Sequence, residues 1–135
     1  MKTFLGVAIA ILAVCGLAVA QHSDYQAKAS VKDIMAKMVG PNNGQLRGMQ
    51  ENGPQSDEDW AAARTAATIM AEAAQLLEMG GRSKDGVWSD ASKGLTSATG
   101  ALVAASDSKD VAAWKAAVGN AGQSCQSCHE VHRIQ

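Results

Sequence analysis

The chain has 135 residues and carries 12 Lys and Arg against 13 Asp and Glu, for a formal net charge of −1. That balance gives no support to nucleic-acid binding and shows no strong basic patch for an acidic partner. Only three cysteines are present, so no disulfide framework can be read from their spacing.

The first element in chain order is a leader. Lys2 precedes an uncharged apolar run from Phe4 to Ala20, which closes on Ala18-Val19-Ala20 before Gln21. A basic start, an apolar middle and small residues at a cleavage point describe a secretory signal peptide. A retained membrane anchor is the alternative, but spanning takes ~20 apolar residues and this run falls slightly short. A lipoprotein signal around Cys15 is weaker, because Val14 stands where a small residue is expected. Residues 1–20 are therefore predicted to be removed, leaving residues 21–135 as one exported domain in the periplasm. Its charge is eleven basic against thirteen acidic residues, and only Cys125 and Cys128 remain as thiols.

Four helices follow. The first is predicted from near Ser23 to about Val39, with Ser30-Val31-Lys32-Asp33 resembling a capped start and Gly40-Pro41-Asn42-Asn43-Gly44 breaking it. A short turn is expected from Gln45 to Met49, before Asn52-Gly53-Pro54. The second helix opens at Ser56-Asp57-Glu58-Asp59, with acid in its first turn, and ends at Gly80-Gly81. Along it, Trp60, Ala63, Ala67, Met70, Ala74 and Leu77 alternate three- and four-residue steps. Trp88, Ala91, Leu95, Ala98, Leu102 and Ala105 repeat the pattern on the third helix, which Ser106-Asp107-Ser108 separates from the fourth. Val111, Trp114, Val118, Ala121, Cys125, Cys128 and His132 carry it to the end of the chain. This alternation is the seam of helices packed nearly parallel or antiparallel. No segment shows the two-residue alternation of a half-buried strand. The prediction is an all-α, antiparallel up-down-up-down four-helix bundle.

The last helix carries Cys125-Gln126-Ser127-Cys128-His129. Two thiols three residues apart share a helix face and can both reach the vinyl groups on one porphyrin edge. An imidazole directly after them can hold the iron from its proximal side. The pentad is the attachment pattern of a c-type haem. A redox dithiol is expected beside a βαβ pattern, which is missing here, and a zinc site needs ligands beyond His132 and His22. The seams are mostly alanine, thin for a domain of this size, and a porphyrin would fill the missing apolar volume.

Topology then locates the iron. The end of the fourth helix lies beside the start of the first, the end of the second and the start of the third. His129 is expected near Met35, Met38, Leu76, Leu77, Met79, Val87 and Trp88, with Met49 and Trp114 toward the opposite end. Met35 and Met38, one turn apart, are predicted to share a face, so either thioether is a candidate distal ligand, with Met35 first and Met79 third. Both could equally be core methionines.

Cys125-Gln126-Ser127-Cys128-His129-Glu130-Val131-His132-Arg133 resembles the C-terminal signature of the class II cytochromes c, which comprise cytochrome c-prime and its low-spin, methionine-ligated relatives. The resemblance implies an antiparallel four-helix bundle with one haem c on the last helix, in an exported electron carrier or gas-binding protein. It implies a haem-side role for Arg133, which otherwise complements the dipole of the last turn. It also points to Met35 as the sixth ligand of a low-spin member. His132 departs from the Tyr or Phe found there in many members, and the break at Gly40-Pro41 comes early for the family.

The expected function is a periplasmic monohaem electron carrier that is not an enzyme. Its partner would be an unidentified periplasmic or membrane-bound redox protein, and bundles of this kind often pair through their first two helices. The alternative is a five-coordinate protein binding nitric oxide or carbon monoxide. Catalysis of the peroxidase kind needs a distal acid–base group, and the predicted distal wall offers none. A haem-free helical protein is the remaining possibility.

Overall fold

The computed structural model describes residues 26–133. The predicted signal peptide, Cys15, His22 and the predicted helix start at Ser23 lie outside the described residues. Six helical pieces are present: α1 (Val31–Ile34), a π-helical segment (Met35–Val39), α2 (Gly40–Gly48), α3 (Asp57–Leu76), α4 (Gly86–Ser108) and α5 (Val111–His132). The first three run on without interruption, so they form a single first helix and the whole is a four-helix bundle. There is no strand among the described residues.

Local chemistry sets the boundaries. Ser30 Oγ accepts the Asp33 N–H at 3.1 Å, while Asp33 Oδ2 accepts the Ser30 N–H at 3.2 Å. Ser56 and Asp59 form the same reciprocal cap at the start of α3. Each box satisfies backbone donors that a helix start leaves orphaned. Asp85 and Asp110 cap α4 and α5 by accepting the N–H groups of Trp88 and Ala113, each at 2.9 Å. The expected break between the last two helices falls at Lys109-Asp110 and not at Ser106-Asp107-Ser108. The chain reverses there because Lys109 adopts the left-handed conformation (φ 53°). Ser106 lies inside α4, where its buried hydroxyl is satisfied by donating to the Leu102 carbonyl at 2.7 Å.

The largest correction concerns the first helix. It starts at Val31, and it does not break at Gly40-Pro41. Proline in an α-helix lacks the N–H and crowds the carbonyl four residues back. The π segment re-routes the hydrogen bonds just before it, with the Gly40 N–H donating to the Met35 carbonyl five residues earlier. Gly40 suits this turn because a Cβ there would stand 3.0 Å from that carbonyl oxygen. Gln45 and its neighbours, expected as a turn, are the last turn of α2.

All six seam positions predicted on each of α3 and α4 are buried. Alanines 63, 66, 67, 73 and 74 are 0 % exposed, which lets helix backbones approach closely. The first helix packs on α3, and α4 lies between α3 and α5. Its start is pinned by Arg82, whose Nε and Nη2 donate to the Ala29 carbonyl at 3.0 and 2.8 Å and whose Nη1 reaches Leu76 O at 3.0 Å.

Candidate functional site

The haem pentad lies near the C-terminal end of α5, and Cys125 and His129 share pocket linings with Asn43 and Arg47 of the first helix. Cys125 and Cys128 are half-buried and unbridged, and His129 is exposed. A partly open cavity of about 280 Å³, the inner part of the site, is bordered by Cys125, Cys128 and His129 on one side and by Met35, Val39, Asn43, Arg47, Leu77, Ala91, Ser92 and Leu95 on the others. Two further recesses adjoin it. One, about 390 Å³, lies toward the bundle end between Val31, Lys32, Trp88, His132 and Arg133. The other, about 400 Å³, runs between α2 and α5. His129 borders all three, so they form one cleft in the size range of small-molecule sites.

Electrostatics distinguishes this pair of thiols from a redox dithiol. Burial pushes the Cys125 thiol above its ordinary value, the neighbouring Cys128 adds to this, and the Arg47 charge opposes it. Burial likewise raises Cys128, against the pull of Lys84. Reactive dithiols need the reverse shift. No further His, Cys, Asp or Glu joins them in a metal-binding cluster among the described residues.

A family model described as cytochrome C′ matches residues 26–133. The chain belongs to the cytochrome c′ family. No curated protein and no solved structure was found to match it. Membership in the cytochrome c′ family makes the protein a c-type haem cytochrome and implies a covalently bound haem c, the group expected from the pentad. The cleft fits that group: two cysteines and a histidine stand on one wall, and the facing walls combine apolar Met35, Val39, Leu77, Ala91 and Leu95 with polar Asn43, Arg47 and Ser92.

The sequence-predicted residues divide between this cleft and other surfaces. Met35 borders both the interior cavity and the recess at the bundle end. Met38 does not share its face. It lines a separate surface depression with Lys28, Asp33 and Lys37, because residues three apart in a π turn no longer stack as they do in an α-helix. Met79 is 38 % exposed and lies in a groove between α3 and α4, away from the pentad. Arg133 is exposed at the recess that also holds Lys32. His132 has a packing role: its Nε2 is 3.0 Å from Asp85 Oδ1 and its ring meets Trp88 edge-on, with centroids 5.5 Å apart. It ties the end of α5 to the N-cap of α4.

Sequence reasoning missed Asn43 and Arg47, which border both the interior cavity and the α2–α5 recess. Met35, Val39, Asn43 and Arg47 follow one another at four-residue steps, a helical face in plain view once Pro41 is allowed inside the helix. No helix among the described residues is long and apolar enough to cross a membrane.

Proposed function

We propose that the protein is an exported, non-catalytic electron carrier of the periplasm, with one haem c joined to Cys125 and Cys128, His129 as proximal ligand and Met35 as distal ligand. The observation that carries this is a shared lining: Met35, Cys125, Cys128 and His129 border the same interior cavity, while Met38 and Met79 face elsewhere. Bound in this way, the haem supplies a one-electron ferric–ferrous couple.

The residues of the chain do the rest. Cys125 and Cys128 would hold the haem through two thioether bonds, and the His129 imidazole would give the iron a nitrogen ligand. The Met35 thioether is a soft ligand that favours the ferrous state and raises the potential. Val39, Leu77, Ala91 and Leu95 exclude water from the interior wall. Trp88 is held in place by its Nε1 donating to the Leu77 carbonyl at 3.0 Å, which stiffens the cleft where α3 meets α4. A rigid wall keeps reorganisation small when the electron arrives. Arg133, which lines the recess at the bundle end with Cys128 and His129, would place a cation on that side of a bound haem.

The ferric absorption spectrum of the purified holoprotein tests the ligand assignment. A low-spin spectrum with a sulfur-to-iron band that disappears in Met35→Ala is expected. A high-spin ferric spectrum in the unmodified protein would overturn the Met35 ligand and favour binding of nitric oxide or carbon monoxide on a five-coordinate iron.

A further inference from the structure

One turn of the first helix spans five residues where a regular α turn spans four. The helix is held on both sides of that turn. Its start is fixed by the Ser30–Asp33 capping box and by the Arg82 guanidinium on the Ala29 carbonyl. Its far part is fixed by Leu46, which is 2 % exposed. The place where the long turn falls therefore decides which residues between these points face the cleft.

Three adjacent residues put it where it is. In an α-helix the Gly40 N–H would pair with the Ala36 carbonyl, and the Pro41 ring would crowd the Lys37 carbonyl four residues back. Proline thus penalises the α register at this point. Glycine permits the alternative, since a Cβ at residue 40 would press on the Met35 oxygen at 3.0 Å. Asn42 adds a bond, its Nδ2 donating to the Met38 carbonyl at 2.6 Å.

The consequence falls on the haem cleft. Successive residues of an α-helix are rotated by about 100°. Without the long turn Ala36 would stand on the face that Met35 now occupies, and Met35 would turn aside. As it is, Met35 borders the cavity with Cys128 and His129, Ala36 is exposed, and Met38 lines the outer depression with Lys37. An alanine methyl cannot ligate iron, whereas a methionine thioether can.

We infer that Gly40, Pro41 and Asn42 are positioning residues for the wall that faces His129: by holding the π turn they aim Met35, and neither Ala36 nor Met38, at the iron. The inference rests on haem in this cleft, and it deepens the Met35 assignment by naming what directs that side chain.

The test uses holoprotein labelled with carbon-13 at its methionine methyl groups, with far-UV circular dichroism as the check on folding. Ferric iron displaces the resonance of a methyl group beside it, whether or not the sulfur is bound. In the unmodified protein the Met35 methyl is expected far outside the ordinary range and the Met38 methyl close to it. The Gly40→Ala/Pro41→Ala variant penalises the π turn and relieves the α register. It is expected to lose most of the Met35 displacement, and the sulfur-to-iron band with it, while remaining helical. Adding Ala36→Met is expected to return a displaced methyl and a low-spin spectrum, which a merely structural role for the turn would not do. If the double variant does not hold haem, Pro41→Ala alone is the one to read, with part of the displacement lost. A Met35 methyl as strongly displaced in the folded variant as in the unmodified protein would overturn the inference, and so would one undisplaced in the unmodified protein. A displaced Met35 methyl in a high-spin protein would sustain the register and overturn only the iron–sulfur bond, so the two readings fail separately.

Discussion

The two halves of α5 have the same periodicity and opposite fates. In the first half, Trp114, Ala117, Val118 and Ala121 are all buried, with Trp114 0 % exposed. Among the described residues from Ser124 onward none is fully buried, although Cys125, Cys128 and His132 continue the same three-and-four spacing. The second half still leans on α4: a Cβ at Gly94 would meet Ser124 Oγ at 2.7 Å. Toward the first helix it opens onto the cleft. A seam pattern therefore says which face of a helix turns inward, and not whether protein covers that face.

Three experiments test the contrast. The largest effect is expected from Trp114→Ala in the closed half, a loss of about 3–5 kcal/mol in holoprotein stability measured by denaturant unfolding. Trp114→Phe should cost less, because the Trp114 Nε1 is buried without a hydrogen-bond partner. A loss under about 1 kcal/mol for the alanine variant would mean that the first half is no better packed than the second.

Gly80→Ala probes what holds the first helix in place beside the open half. Gly80 has φ +62°, and a Cβ there would lie 2.6 Å from the Ala27 Cβ. The cost should be about 1–3 kcal/mol, from left-handed strain plus a contact between backbones that cannot both yield. An unchanged melting temperature would show that the segment around Ala27 does not anchor the first helix.

The smallest effect concerns the tie between the open half and α4. The Asp85 carboxylate is held below the ordinary value of 3.8, first by the Trp88 N–H and then by His132. A depressed carboxyl pKa stabilises the fold above the unfolded-state value, and that contribution is lost as pH falls through the folded-state value. Asp85→Asn keeps an N-cap acceptor and removes the charge. Its melting temperature should lie slightly below that of the unmodified protein at pH 7, and the two should converge as the pH falls through the lowered folded-state value. A difference that persists in acid would assign the effect to packing and not to charge.

Much of this was legible in the residues. The four-helix bundle followed from seam spacing, and the caps at Ser30 and Ser56 from their acidic partners three residues on. The c-type haem expected from the pentad agrees with the family, because an attachment motif is local to five residues. Two features were hidden. Gly40-Pro41 looked like a helix end, since proline removes a donor that the α pattern requires. The π segment absorbs that defect by re-pairing the Met35 carbonyl, a solution that depends on hydrogen bonds across five residues. Because it was hidden, so were Asn43 and Arg47.

By itself the sequence determined the helical class, the family and the five residues that announce the haem, all properties of spacing within one helix or between neighbouring ones. Only the tertiary structure decided which methionine borders the cavity with His129 and which charged residues reach it. Those depend on the rotation of the first helix about its own axis. The π turn resets that rotation between Met35 and Met38, and sequence spacing alone carries no record of it.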